Sequence, residues 1–420
     1  MEKLITPQSN QKARKTALFT VFLAVLIDLI GFGIVLPLLP YYSSIFNASA
    51  TQVGFLYSIF SLAQLIFSPL WGSFSDRVGR RPVMLISTFG AVIAYVIFGL
   101  AHTLSLLFIS RLIAGIMGGN ISTAQAYVAD VTSHEDRAKG MGLIGAAFGI
   151  GFVMGPALAS ILIHPPFLHL FHIPESNKFA VPGFFAAFLS FASFLLVYFK
   201  LPETIHQKNG DTAARPSVLT QKFWQFLKPG ESAEKKVFFF LILSAFLFSF
   251  AQASLYSAFP IFCEGHLKLT VDQVGILFVY MGVIAIVIQG GLIKPLTARF
   301  GEIKLFITGT VLMVAGFILT PFTHSTAPLL FALGIMSVGG SLNGPTLNSL
   351  ISKEADPSNV GATMGISQGM GSLGRVLGPT LGGAFYEVWY RLPFFVTAAL
   401  LSVLVWVGIR LKHHAHRKTA

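Results

Sequence analysis

Twelve apolar stretches of membrane-spanning length, separated by short polar segments, constrain this chain more than any other feature. Crossing about 30 Å of hydrocarbon takes roughly 20 helical residues, and stretches of that size recur throughout the sequence. The approximate spans are 17–40, 51–73, 82–101, 105–128, 138–162 and 180–200, then 236–262, 271–293, 304–322, 327–350, 359–386 and 392–411. The chain is 54% hydrophobic and only 11% charged, whereas a soluble protein carries roughly 25% charged residues. Lipid offers the backbone no hydrogen-bond partner, so each span must satisfy itself as a helix. The period-two alternation expected of a membrane barrel is absent. The expected fold is an all-α membrane protein with twelve transmembrane helices.

The sequence also repeats itself. Gly142, Gly151, Gly155 and Pro156 carry a spacing that returns half a chain later at Gly365, Gly374, Gly378 and Pro379. At the same offset Leu106-Leu107-Phe108 matches Leu329-Leu330-Phe331, and Asn120 matches Asn343. Such self-similarity points to duplication, and in hydrophobic sequences it marks transporters. The longest polar stretch, 201–235, divides the helices into two sets and holds Pro202, Asn209-Gly210-Asp211, Pro216 and Pro229-Gly230, the vocabulary of a linker. The expected organisation is an N-terminal six-helix bundle (1–200), a cytoplasmic linker (201–235) and a C-terminal six-helix bundle (236–420). Within the linker, Phe223, Trp224, Phe226 and Leu227 fit either a short helix lying on the membrane or an ordinary tether.

The net charge of +12 is a matter of topology rather than of nucleic acid. Placing both termini in the cytoplasm collects Lys12, Arg14, Lys15, Arg77, Arg80, Arg81, Arg137, Lys139, Lys294, Arg299, Lys304, Lys353 and Arg410 on that side. The outside then keeps only Lys178, Lys268 and Arg391. The bias sets orientation and argues against nucleic acid as a partner. The expected location is a membrane of the bacterial inner type, with lipids, protons and a small-molecule substrate as partners. Cys263 is the single cysteine, which excludes an intramolecular disulfide and a CxxC metal site. His164, His169 and His172 have only Glu175 to complete a ligand set, so no metal and no cofactor is assigned.

The segment between the second and third spans reads Gly72-Ser73-Phe74-Ser75-Asp76-Arg77-Val78-Gly79-Arg80-Arg81-Pro82. It resembles the loop signature of the major facilitator superfamily. The glycine–proline pattern of the fifth span looks like that superfamily's antiporter motif, and Arg111 in Ser110-Arg111-Leu112 matches its fourth-helix motif. The first span, Asp28-Leu29-Ile30-Gly31-Phe32-Gly33 on to Pro37 and Pro40, is similar to tetracycline efflux proteins and related drug–proton antiporters. The resemblance covers nearly the whole chain. It implies two pseudo-symmetric six-helix bundles around a midplane cavity, working as a monomer. It also implies that Asp76 meets the N-terminus of the eleventh span near Ser358, and that Arg80 pairs with Asp130. The plainer alternative is that these charges only fix topology. Glycines at 72 and 79 are expected to make a tight turn, and Pro82 suits the first turn of the next helix. Small residues at 151 and 155 allow close helix approach while Pro156 permits a bend. The fifth span is expected to lie against the second half, where Gly378 and Pro379 repeat the pattern.

Three charges remain deep once the span ends are assigned to water: Asp28, Arg111 and Arg375. Charges at such depth are costly and mark function. Burial disfavours the ionised form of a carboxylate and a neighbouring arginine favours it, so Asp28 is poised to exchange a proton. The alternative is a fixed ion pair with Arg111. Arg375 departs from the tetracycline exporters and gives the interior an excess of positive charge, which suits a substrate with an anionic or zwitterionic portion. Other cavity candidates are Phe32, Tyr57, Gln64, Asn120, Gln125, Gln252, Tyr256, Asn343, Asn348 and Gln368. The expected activity is proton-driven export of a small amphipathic molecule, with uptake or flipping of an anionic metabolite or lipid as the alternative. An intramembrane enzyme would need a deep nucleophile–base or metal cluster, and no P-loop supports ATP-driven pumping.

Overall fold

The computed structural model describes residues 11–132, 137–204, 233–354 and 360–419, and among these there is no strand. The first six long helices are α1 (Gln11–Ser44), α2 (Ala50–Val78), α3 (Arg80–Gly99), α4 (Leu104–Val131), α5 (Arg137–Ile163) and α6 (Ala180–Lys200). The next six are α7 (Ala233–Leu267), α8 (Val271–Phe300), α9 (Glu302–Leu319), α10 (Thr326–Glu354), α11 (Val360–Val388) and α12 (Leu392–Thr419). Eleven of these, all but α11, are long and apolar enough to cross a membrane. The glycines, Gln368 and Arg375 of α11 dilute its hydropathy. Several helices overrun their predicted spans, because adding a residue to a formed helix gains a hydrogen bond at little further cost.

Two helices are interrupted where the sequence is weakest. A 3-10 turn, Gly118–Asn120, breaks α4 at its glycine pair, and a π turn, Ile288–Leu292, breaks α8 at Gln289-Gly290-Gly291. Pro37 and Pro40 lie inside α1, Pro156 inside α5 and Pro379 inside α11, each removing one backbone donor from its helix.

The chain forms two compact units. One comprises Met1–Ala48, Ile59–Ala214 and Val271–Val279, and the other Ser49–Ser58, Arg215–Thr270 and Tyr280–Ala420. The first turns of α2 and α8 are thus exchanged relative to the sequence halves. In the first unit α1 is the central element. Ala17, Val21, Ala24, Val25 and Leu29 pack with Tyr127 of α4, Ile144 and Ala147 of α5 and Val197 of α6 in one apolar cluster. Large apolar side chains such as Phe188, Phe199 and Phe331 remain exposed, as surfaces facing lipid require. The linker residues 205–232, including Phe223, Trp224, Phe226 and Leu227, lie outside the described residues.

Candidate functional site

Asp28 sits mid-way along the buried central helix, partly exposed, four residues after Ala24 of the apolar cluster. Arg111 is only 2% exposed, two turns into α4, which begins at Thr103, whose hydroxyl accepts from the amide of Leu106 at 3.3 Å. The guanidinium donates from Nη2 to Ser110 Oγ at 3.1 Å. Ser110 in turn donates to the Ala94 carbonyl of α3 at 2.9 Å, fastening the two helices together. The Arg111 guanidinium also lies over two rings of α3, 5.7 Å from the Tyr95 centroid and 5.0 Å from that of Phe98. The hydroxyl end of Tyr95 reaches α1 at Gly31, one turn after Asp28, where a Cβ would come 2.5 Å from the phenol oxygen. The first unit therefore gathers an acid, a base and a phenol inside its helical layer, on α1, α4 and α3.

At the α2–α3 junction, Gly79 adopts φ 110° and ψ 157°, a conformation essentially restricted to glycine. A side chain here would also strike the carboxylate of Glu203. That carboxylate accepts from the backbone amides of Arg80 (2.9 Å) and Arg81 (3.1 Å), and so caps the N-terminus of α3. Arg80 is buried and pairs with Asp130 at 3.0 Å and with Asp76 at 2.5 Å, while Thr204 donates to Asp130 at 3.2 Å. Tyr127 ties the same corner to the Pro202 carbonyl at 2.9 Å. Arg77 is exposed. One expectation is revised. Gly72 makes no turn: α2 continues through it, its carbonyl accepting from Ser75 Oγ at 2.8 Å, because the chain is already turned at Gly79 alone. Asp76 is engaged with Arg80 of its own unit, and Ser358 lies outside the described residues.

The glycine motif has two neighbours, α1 and the start of α8. A Cβ on Gly151 would come 2.6 Å from Leu29 Cβ, and one on Gly155 would come 2.5 Å from Gly33 Cα. These two glycines seat α5 against α1 within the first unit, while Pro156 and Ser160 of the same helix meet Asp272 and Gly275 at the start of α8, the contact with the second half of the sequence that was expected. The physical reason is that Gly33 supplies a matching notch on α1, so the two backbones come together. The second copy does the same work: Gly374 and Gly378 seat α11 against the backbone of Phe246 and Phe250 on α7, and the Pro379 carbonyl accepts from Ser257 at 3.1 Å. In the first copy Ser160 donates to the Pro156 carbonyl at 3.1 Å and to the Asp272 carbonyl at 3.0 Å.

Arg375 is partly exposed on α11 and donates from Nη2 to Ser372 Oγ at 2.8 Å. Ser249 of α7 lies close by, since a Cβ on Gly371 would come 2.9 Å from its hydroxyl and 3.6 Å from Arg375 Nη1. Gln252 stands three residues further along α7, its amide 3.4 Å from a Cβ built on Gly340. Tyr256 is half-buried, Gln125 and Gln368 are exposed, and Tyr57 is buried. Phe32 packs on Phe60 with ring centroids 4.8 Å apart and edge-on to Phe152 at 5.8 Å. Asn343 is not a cavity residue. It is fully buried, with its amide donated to Thr310 at 2.9 Å and beside Met313 Sδ at 3.7 Å, fastening α10 to α9.

The family model described as Major Facilitator Superfamily matches residues 21–294 and 241–420. The chain belongs to the major facilitator superfamily. Its relatives include the tetracycline resistance protein, class C, of Escherichia coli, 30% identical over 399 residues that cover 92% of this chain and 95% of that one. Multidrug resistance protein 1 of Bacillus subtilis (strain 168) is 28% identical over 413 residues, covering 97% and 99%. The crystal structure of the human organic anion transporter MFSD10 (TETRAN) superposes with a TM-score of 0.67 at 24% identity, covering 94% of this chain and 99% of that one. This superfamily member is therefore a multi-pass integral membrane transporter.

Two residues of the site escaped sequence reasoning. Tyr95 had a signal, a phenol inside an apolar span whose hydroxyl needs a polar neighbour. Glu203 had a weaker one, an acid immediately past the end of α6. Which amides it would cap follows only from the fold.

Proposed function

We propose that this superfamily member is a proton-coupled antiporter that exports a small amphipathic molecule or drug by alternating access. The observation that carries the reading is the Asp28 carboxylate on the central helix, on the face where Gly31 receives the phenol end of Tyr95, whose ring lies beneath the buried Arg111 guanidinium. A carboxylate held in such a layer is costly when charged and unbalanced, so its proton is the natural partner to exchange for cargo. Relatives named as tetracycline and multidrug resistance proteins, matched over 92% and 97% of the chain, support drugs as the cargo. Asp28 takes the proton and Arg111 steadies the ionised state. Phe32, Tyr57, Gln125, Gln252, Tyr256, Gln368 and Arg375 are the substrate candidates. Asp76, Arg77, Gly79, Arg80 and Asp130 act at the α2–α3 corner, Gly151, Gly155 and Pro156 along α5, and Gly378 with Pro379 along α11. The transporter works without a cofactor, drawing on the proton gradient, as a monomer of the bacterial inner membrane with both termini in the cytoplasm.

Purified protein in vesicles with an imposed pH gradient tests this reading. Adding a transported dye or drug should dissipate the gradient, and a protonophore should abolish uphill transport. Substrate flux that leaves the gradient untouched rejects antiport.

Arg375 favours a second reading of the cargo. It lies deep in α11 with hydroxyls from Ser372 and Ser249 around it and no ion pair among the described residues. A guanidinium so placed suits a substrate carrying a carboxylate or phosphate. Arg375→Ala should reduce transport of anionic or zwitterionic compounds at least tenfold, roughly the loss of one charge-assisted hydrogen bond, and leave cations unaffected. Equal losses for both classes would reject this reading.

A further inference from the structure

Tyr95 is buried on α3, 4% exposed, and its two ends meet different partners. Its ring lies beneath the Arg111 guanidinium, as does that of Phe98 one turn further along the same helix. Its hydroxyl end fills the space that Gly31 leaves open on α1, since a Cβ there would come 2.5 Å from the phenol oxygen and 2.7 Å from Cζ. Gly31 is three residues after Asp28, so the two share one face of α1. The phenol thus stands on the helix face that carries the acid, within electrostatic range of both charges.

Phe98 shows what a ring alone supplies here: apolar packing and a π face for the guanidinium. A second phenylalanine at 95 would repeat that service, so the hydroxyl is the part left unexplained. Glycine at 31 gives that hydroxyl access to α1, where any larger residue would push it away.

We propose that Tyr95 is a positioning residue for proton exchange at Asp28, its hydroxyl stabilising the ionised carboxylate and helping it shed its proton. This rests on the proton-coupling reading of Asp28. Within the first unit, residues 141–163 of α5, 180–197 of α6 and 112–126 of α4 contain no titratable side chain, whereas α4 and α3 carry Arg111 and Tyr95.

The test is the pH profile of proton-driven transport in vesicles for wild type, Tyr95→Phe, Tyr95→Leu and Asp28→Asn. Tyr95→Phe keeps the ring, so its maximal rate should stay within about twofold of wild type. Its half-maximal pH should move upward by about half a unit or more, the scale of one lost hydrogen bond to a carboxylate. Tyr95→Leu should show the same shift together with a lower maximal rate. Incorporation of 3-fluorotyrosine at position 95, a nearly isosteric and stronger donor, should move the profile the other way, and it serves if Tyr95→Phe folds poorly. Infrared titration of the carboxyl band that Asp28→Asn removes should report the same shifts without relying on transport. An unchanged midpoint in both ring-preserving variants, with Asp28→Asn flat across pH, overturns the Tyr95 assignment alone. A pH profile that survives in Asp28→Asn overturns the proton-coupling reading and this inference with it.

Discussion

Single residues set the chemistry at two places, and they differ in how openly the sequence declares them. Asp28, Arg111 and Arg375 stand out because a charge within an apolar run is conspicuous whatever the fold. Tyr95 and Glu203 do not, because their roles come from neighbours more than 60 and 120 positions away in the chain. Glu203 supplies the acceptor that the first amides of α3 lack, and Gly79 leaves room for it. Glu203→Gln should lower stability by about 0.5–2 kcal/mol, as loss of a helix cap does. Gly79→Ala should cost more, about 1–3 kcal/mol, because it forces alanine into a glycine-only conformation and displaces the cap as well. Thermal unfolding midpoints in detergent check both. If Gly79→Ala unfolds at the wild-type temperature, the strained corner is wrong. The same residue scale explains why Asn343 misled: a buried amide reads alike in sequence whether it faces a cavity or, as here, fastens α10 to Thr310 of α9.

Helices were legible as elements because lipid permits little else, and their approximate positions follow from hydropathy, although α11 is too diluted by polar residues and glycines to pass as a span on that measure. Their seams were legible only in part. The spacing of Gly151 and Gly155 announces a close approach, but period and size do not name the partner, and the matching notch at Gly33 decides it. Gly155→Ala, whose methyl would meet the Gly33 backbone, should destabilise by about 1–3 kcal/mol. Gly145→Ala, with nothing within 4 Å of its Cβ, should be neutral or stabilising by up to about 1 kcal/mol. Equal effects at the two positions, measured by thermal inactivation, would contradict the packing described for α5. Helix ends add a pH-sensitive contact. Glu387, past the predicted span at the end of α11, accepts from the Thr51 amide in the first turn of α2 at 2.8 Å. That backbone hydrogen bond holds its carboxyl below the ordinary value of 4.5. A depressed carboxylate contributes its stability above the ordinary range and loses it as pH falls. Hydrogen-exchange protection of the Thr51 amide, corrected for intrinsic rate, should therefore fall a few-fold on acidification below pH 4.5. In Glu387→Gln it should be low at every pH, and a pH step persisting in that variant would assign the titration elsewhere.

For the molecule as a whole, the glycine–proline repeat and the polar stretch at 201–235 point to two halves, and two compact units are found. The exchanged pieces, 49–58 and 271–279, were not legible, because a hydropathy plot carries no record of which helix a given turn touches. Neither piece interrupts its helix, so α2 and α8 each belong to both units. Membership of the major facilitator superfamily was readable from the Asp76–Arg81 corner and the repeat. Energy coupling is the claim on which the functional account turns, and it is assigned to one carboxylate. The most direct test is counterflow and gradient-driven export by Asp28→Asn in vesicles, measured beside wild type. The account predicts that the variant folds, binds and exchanges substrate across equal pH, yet accumulates none against its gradient when a proton gradient is imposed. Uphill, gradient-driven export by Asp28→Asn at the wild-type rate would contradict it.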